Sequence, residues 1–294
     1  MSSLPTISTL IPAYNAAAFV GRAIESALAQ TYPPLDIIVV DDGSKDNTSE
    51  VVARYPPPVR VIRQVNGGPA AARNRAAREA RGEWFALLDA DDSWLPEKLE
   101  RQLEHTASPD IGIVFTRAAY DAVRRRQIPV RPSFDSLWES NCVGNSGVMI
   151  RRATFEAVGG FDEDRKLIGV EDYNLWLRVA AAGWGIVLCP GNLLIYAPGP
   201  ESLTRNSERF ARAELANVDA IGKKLGLDPA RLRAKRLEIQ GTYGAELFHH
   251  RELRAAREFL GEALAQDPSV KRLGWYVATF LPGSLLDIRR RLVR

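Results

Sequence analysis

Three carboxylates fall within four residues at Asp89-Ala90-Asp91-Asp92, directly after the apolar run Phe85-Ala86-Leu87-Leu88. Like charges this close repel, and a hard divalent cation such as Mg2+ or Mn2+ relieves the repulsion, because such ions take oxygen ligands and bridge to phosphates. A solvated acidic turn or helix cap is the plain alternative for this cluster alone. A second acidic pair, Asp41-Asp42, ends the run Ile37-Ile38-Val39-Val40 and leads into Gly43-Ser44. An ionised carboxylate only accepts hydrogen bonds, so it suits the ring N–H of uracil, thymine or guanine. Tyr14, two residues after Pro12, has a face on which such a ring could stack. Asn66-Gly67-Gly68-Pro69 makes a tight turn, and Arg73 follows it as a cation for a diphosphate. Glu171-Asp172 opens a helical pattern and is a candidate acid pair, with ordinary helix N-terminal acids as the alternative.

Elements that bring these groups together are legible in the hydrophobic pattern. Over residues 7–116, short β-rich runs alternate with helical patterns, the form of successive βαβ units and of a parallel sheet covered on both faces. The pattern predicts strands over 7–11, 36–40, 59–63, 84–88 and 111–115, and helices over 19–30, 46–54, 70–80 and 96–104. Pro96 is expected at a first helical position and Gly82 at a helix stop. Ligands of doubly wound sheets bind beyond the carboxyl ends of the strands, where the turns after the first four strands lie. Residues 117–170, including Arg124-Arg125-Arg126, read as an irregular, substrate-facing segment. A helix over 171–182 is expected to bury Tyr173, Trp176, Leu177 and Ala180 on one face and to end at Gly183, with short strands at 186–188 and 193–196.

Beyond Thr204 the pattern is helical only. Phe210, Val218, Ile221 and Leu225 form a stripe, and Asp228-Pro229 caps the next helix. Gly244, Leu247, Ala256, Leu260, Ala263 and Pro268 fit the spacing of one tetratricopeptide unit, which an ordinary helical hairpin also satisfies. One such unit needs neighbours to bury its faces. The expected division is a catalytic domain over 1–204 and a helical region over 205–294.

Composition narrows the function. With 294 residues and 46% hydrophobic content, one α/β domain and an appended module fit the usual domain size. A balance of 39 basic against 36 acidic residues argues against nucleic acid as the ligand. Cys142 and Cys189 lack CxxC partners, which argues against a disulfide framework or a zinc site and fits a reducing cytoplasm. His105, His249 and His250 show no metal-ligand spacing. The start, Met-Ser-Ser-Leu-Pro, lacks a basic signal-peptide region, and the apolar stretch 275–286 is too short to span a bilayer. The tail from Leu285 to Arg294 reads either as a basic amphipathic helix lying on the inner face of an anionic membrane or as a solvated helix end.

Four stretches, Leu10-Ile11-Pro12-Ala13-Tyr14-Asn15, Val39-Val40-Asp41-Asp42-Gly43-Ser44, Asn66-Gly67-Gly68 with Ala72-Arg73-Asn74, and Leu88-Asp89-Ala90-Asp91-Asp92, resemble in order and spacing the motifs of family 2 glycosyltransferases. The resemblance covers residues 5–200. It implies the GT-A fold, a Rossmann-like α/β fold with a mostly parallel sheet and helices on both faces. It also implies a nucleotide-diphospho-sugar donor, UDP-sugars foremost, Mg2+ or Mn2+ at the Asp-x-Asp element, and inversion at the anomeric carbon. By the same resemblance Asp42 recognises the base, with Tyr14 beside the ring and Pro12, Gly68, Arg73, Asp89 and Asp91 around the donor. Asp91 and Asp92 contact the metal, with the register inside 89–92 open. Gly159-Gly160-Phe161-Asp162-Glu163 resembles the acceptor-side loop, which puts Gly160, Phe161 and Trp176 on the acceptor side. Glu171-Asp172 resembles the catalytic pair, Asp172 being the base. The Gln-x-x-Arg-Trp element of processive synthases is missing, which implies single additions.

These residue types suit the implied chemistry. A departing nucleoside diphosphate builds charge that a cation neutralises. The acceptor hydroxyl loses a proton as it attacks, and a positioned carboxylate typically contributes about 10²- to 10⁴-fold by taking it. The acceptor is expected to be a saccharide or a lipid-linked hydroxyl in cell-surface polysaccharide or glycolipid synthesis. Pro-Ala-Tyr-Asn after the first strand, in place of G-x-G-x-x-G, excludes a Rossmann dehydrogenase. A metal-dependent sugar nucleotidyltransferase and a non-catalytic nucleotide-sugar-binding protein remain as alternatives.

Overall fold

A computed structural model describes residues 5–118, 128–197 and 206–281. The packing divides the chain into two units, Met1–Ser202 and Leu203–Arg294. Arg124-Arg125-Arg126 and the tail from Leu285 lie outside the described residues.

The first unit is built on a seven-stranded sheet in the order β3-β2-β1-β4-β7-β6-β8. Its strands are β1 (Ile7–Ala13), β2 (Asp36–Asp41), β3 (Val59–Arg63), β4 (Trp84–Leu87), β6 (Ile111–Phe115), β7 (Val148–Arg151) and β8 (Gly185–Leu188). Every residue of β2, β4 and β6 is buried, as expected where helices cover both faces of a sheet. All pairings are parallel except those of β7, which runs antiparallel between β4 and β6. The pattern missed β7. Val148-Met149-Ile150 is too short to show alternation, and only its wedged position identifies it as a strand. A small ribbon pairs β5 (Ser93–Trp94) with β9 (Leu194–Ile195).

The covering helices of this unit are α1 (Val20–Leu28), α2 (Thr48–Val52), α3 (Pro69–Glu79), α4 (Lys98–Leu103), α5 (Phe134–Glu139), α6 (Arg152–Ala157) and α7 (Glu171–Ala181). Strand order reverses at β1, which has β2 on one side and β4 on the other, so a crevice opens at their carboxyl ends.

Three local expectations are corrected. Helix α4 starts after Glu97, so Pro96 precedes it, and the Pro96 carbonyl accepts Thr31 N–H (2.9 Å). Gly82 is no helix stop, since α3 has already ended at Ala80. It is a point of close approach, where an added Cβ would stand 2.5 Å from the Ser8 nitrogen. Helix α7 is buried all round from Tyr173 to Val179 rather than along one stripe.

The second unit comprises α8 (Ser207–Leu225), α9 (Pro229–His249), α10 (Leu253–Gln266) and α11 (Val270–Ala278). The Asp228 carboxylate accepts Ala230 N–H (2.8 Å) and Pro229 takes the first helical position, as the sequence indicates. Ala211, Leu247, Phe248, Ala255, Ala256, Phe259 and Leu260 form the core of this unit. Helices α9 and α10 approach closely at Gly244, where a Cβ would lie 2.7 Å from Leu260 Cγ. Of the expected stripe, Val218 and Ile221 are buried, whereas Phe210 and Leu225 are half-buried.

Candidate active site

The turns after β1 and β2 are laced together. Asn15 N–H donates to Ser44 Oγ (2.9 Å), Lys45 N–H to Asn15 Oδ1 (2.9 Å) and Ala16 N–H to Thr48 Oγ1 (2.8 Å). On this frame Pro12 is half-buried at the strand end and Tyr14 is 45% exposed. The Asp41 carboxylate is spent internally on Ser44 N–H and the Ser49 hydroxyl; burial opposes its charge, but these bonds outweigh it and hold its pKa low. Asp42 organises the glycine-rich turn: Oδ1 accepts Gln64 Nε2 (2.8 Å) and Gly67 N–H (2.9 Å), and Oδ2 accepts Gly68 N–H (2.8 Å). A carboxylate has about four acceptor positions, so one stays available on Oδ2. Gly68 caps α3 with φ 93°, a conformation that strains any side chain.

Arg73, in the second turn of α3, joins separate stretches of chain. Its Nη2 meets Asp89 Oδ1 at 2.6 Å, its Nη1 meets Glu171 Oε1 at 2.7 Å, and its guanidinium lies 5.3 Å from the Phe161 ring centroid. Burial works against the Arg73 charge, and the two carboxylates outweigh it, so the cation is held. Glu171 is fixed further by Gly169 N–H on Oε2 (2.6 Å), and Asp89 by Asn145 Nδ2 (2.9 Å). Sequence reasoning put Arg73 on the diphosphate. In the structure both ends of its fork are occupied by carboxylates, and it clamps the end of β4 to the start of α7.

Around the acidic cluster, the Asp91 carbonyl accepts the Arg22 guanidinium. Asp92 is buried and accepts Ala197 N–H (3.1 Å). Burial, then the neighbouring Asp89 charge, pushes its carboxyl up to about 7, against hydrogen bonds from Ser146 and Ala197. Ser146 Oγ also accepts Asp89 N–H (3.1 Å), and its carbonyl accepts Trp94 Nε1 (2.7 Å). Lys98 lies 4.0 Å from the centroid of the Trp94 ring and donates to Gln102 Oε1 (2.8 Å); burial lowers its pKa to about 7.

Among the described residues no group of three or more His, Cys, Asp or Glu is arranged to hold a metal. A Mg2+-type ion needs only one or two carboxylates when phosphates and water complete its shell. Asn145 Oδ1, on the residue that holds Asp89, is a buried oxygen without a hydrogen-bond partner. This oxygen-only donor set fits a hard cation.

Asp172 adjoins the clamp. Its Oδ1 accepts Tyr173 N–H (2.6 Å), and it keeps part of its surface open. A helix N-terminus by itself favours a carboxylate's charge. Here close packing by protein and then the Glu171 charge raise its pKa, with Arg73 opposing.

The residues expected on the acceptor side are less open than the sequence suggests. Gly160 has φ 67° and its carbonyl accepts Arg178 Nη2 (2.7 Å). Phe161 is 3% exposed, with Asn74 holding both its N–H and its carbonyl at 2.9 Å. Trp176 is fully buried and donates to the Val143 carbonyl (3.2 Å), so its ring belongs to the core and presents no surface to an acceptor. Sequence reasoning gave no role to Gln64, Asn74, Lys98, Asn145 or Ser146. Asn145-Ser146-Gly147, just before the apolar run of β7, carried the one local signal available.

Arg73 therefore brings Asp89 and Glu171 together with Asp172 beside Glu171, while Asp42 stands after β2 on the turn that opens α3, beyond the carboxyl ends of the strands, where the class of doubly wound α/β proteins binds its ligands. The Glycosyl transferase family 2 profile matches residues 8–159. Succinoglycan biosynthesis protein ExoO of Rhizobium meliloti is 32% identical over 280 residues, which cover 88% of this chain and 76% of that protein. An uncharacterized glycosyltransferase of Rickettsia typhi is 31% identical over 192 residues, 59% of this chain and 58% of that relative's length. Among solved structures, mannosyltransferase PcManGT of Pyrobaculum calidifontis, in complex with GDP-Man and Mn2+, is similar with a TM-score of 0.67 at 21% identity, covering 98% of this chain and 81% of that one. The fold is GT-A, and the chain belongs to Glycosyl transferase family 2.

Proposed function

We propose that the protein transfers one sugar per turnover from a nucleotide-diphospho-sugar, a UDP-sugar foremost, to an acceptor hydroxyl with inversion at the anomeric carbon. The observation that carries this reading is the Arg73 clamp, which brings Asp89 of the acidic cluster and Glu171 of the acid pair to opposite ends of one guanidinium. In this reading a donor-side and an acceptor-side carboxylate stand at one cation.

In this reading Asp42 accepts the base N–H on its remaining Oδ2 position while Tyr14 offers a face to the ring. Asp172 takes the proton from the acceptor hydroxyl as its oxygen bonds to the anomeric carbon and the bond from that carbon to the diphosphate breaks. Arg73 holds Glu171, the residue before Asp172, and Tyr173 N–H holds the Asp172 carboxylate. A bound Mg2+ or Mn2+, held by Asp91 or Asp92 together with the diphosphate, would neutralise the charge of the leaving group. The binding of GDP-Man and Mn2+ by PcManGT supports such a donor and ion. Likeness to ExoO supports a saccharide or lipid-linked acceptor in polysaccharide synthesis. We place the catalytic domain at residues 1–204 and the helical region at 205–294.

Thermal stabilisation by UDP-, GDP- and dTDP-sugars, with and without Mn2+, identifies the donor, because a ligand of the native state stabilises it by mass action. Product analysis tests the reaction. Release of a nucleoside diphosphate supports transfer, whereas pyrophosphate from a nucleoside triphosphate would establish a nucleotidyltransferase. Donor stabilisation with no turnover against any acceptor or water would indicate a binding protein.

A further inference from the structure

Helix α11 has no buried residue, although it packs on α10 through contacts such as Tyr276 against Gly261. Its outward side is apolar: Val270 is 89% exposed, Leu273 49%, Val277 51%, Phe280 55% and Leu281 42%. At about 100° per residue Val270, Leu273 and Val277 fall within about 60° of one another, the geometry of an amphipathic helix that buries one face, and Phe280 and Leu281 carry the patch into the turn after it. Single exposed apolar residues are ordinary on a protein surface, but five in one patch mark an interaction site.

Charge around this patch indicates what covers it. Lys271 and Arg272 stand in the first turn of α11, Arg272 paired with Asp267 and Lys271 beside it. The Arg257 guanidinium sits 3.8 Å from the centroid of the Phe280 ring, adding a cation at the edge of the patch. An apolar face bordered by cations fits an anionic lipid surface, which takes the side chains among its acyl chains and the charges at its headgroups. A second copy of the chain fits poorly. The nine residues of α11 span about 14 Å and the apolar patch runs three residues further, so it covers a few hundred Å2 at most, well below the roughly 800 Å2 per partner of a stable interface.

We propose that α11 docks the protein on anionic membrane with the patch Val270, Leu273, Val277, Phe280 and Leu281 facing the bilayer. This inference stands apart from the transfer reaction. The patch lies on the helical unit, and its test needs no turnover.

The test is co-sedimentation of the full chain with phosphatidylcholine vesicles containing about one-third phosphatidylglycerol, and with pure phosphatidylcholine vesicles. Leu273→Glu/Val277→Glu changes two exposed positions, so folding should survive, and an unchanged circular dichroism melt confirms it. Wild type is expected to bind the anionic vesicles, with partition falling at least about tenfold in the double variant and at least about tenfold on neutral lipid. Val270→Glu, at the most exposed position, gives a second and smaller loss. Equal partition of wild type and the double variant would overturn the proposal. So would a wild-type dimer in solution that the double variant abolishes while vesicle binding persists. Donor stabilisation measured on the same samples without vesicles is expected to be unchanged, which separates failure here from failure of the transferase reading.

Discussion

Asp172 is pressed by close packing and by the Glu171 charge, and both raise its pKa above that of an ordinary aspartate. As the proposed general base it must be ionised to act, so kcat/KM should fall on the acid side with an apparent pKa well above 3.8, read from a pH–rate profile. Asp172→Asn should lower kcat by about 10²-fold or more while leaving donor affinity within about tenfold, measured by steady-state kinetics and donor titration. The same shift makes a stability prediction of definite sign. Below 3.8 the group is protonated in both the folded and unfolded chain. As pH rises, the unfolded chain ionises first and the folded chain resists, so native stability is lost through that window. Asp172→Asn removes the loss. Its melting temperature should exceed that of wild type at pH 8 and match it near pH 3.5, by calorimetry.

At the scale of elements, the site depends on how α3 meets the neighbouring loops. Arg73 reaches from α3 to β4 and α7, and removing one member of a buried ion pair leaves charge without compensation. Arg73→Met should therefore cost about 3–5 kcal/mol in denaturant unfolding, and Arg73→Lys, lacking the planar fork, should restore only part of it. Asn74, the next residue on α3, holds the Phe161 backbone at both N–H and carbonyl and donates to Glu163 Oε1 (2.8 Å). Asn74→Ala should destabilise the fold by about 1–3 kcal/mol. Because it frees the loop proposed to face the acceptor, it should raise the acceptor KM more than the donor KM, a split that steady-state kinetics with both substrates varied would reveal.

For the whole molecule, the division into two units makes separate stability the natural expectation. The first unit has its own sheet and buried core, and the second its own cluster around Leu247 and Phe259. A chain ending at residue 204 should unfold cooperatively and keep the donor-dependent rise in melting temperature expected of the full chain. Loss of that rise would assign the helical unit a part in donor binding.

The β-rich runs, the positions of α1, α3 and α7, and the motifs at four strand ends were readable from the sequence because each is a local pattern: hydrophobic period, capping residue or turn chemistry within a few residues. Asp42, Asp89 and Asp172 could be nominated in this way, since carboxylates at strand or helix ends are visible by type and position. Which partner each carboxylate meets was decided only in three dimensions. Arg73 clamps two acids that lie 16 and 98 residues away in the chain, and no local pattern encodes contacts at such separations. The antiparallel β7 and the burial of Trp176 have the same origin, because strand pairing and core packing depend on what the rest of the chain brings alongside. Local propensity thus determined the elements and the candidate groups, while long-range packing determined which groups meet and how their charges shift.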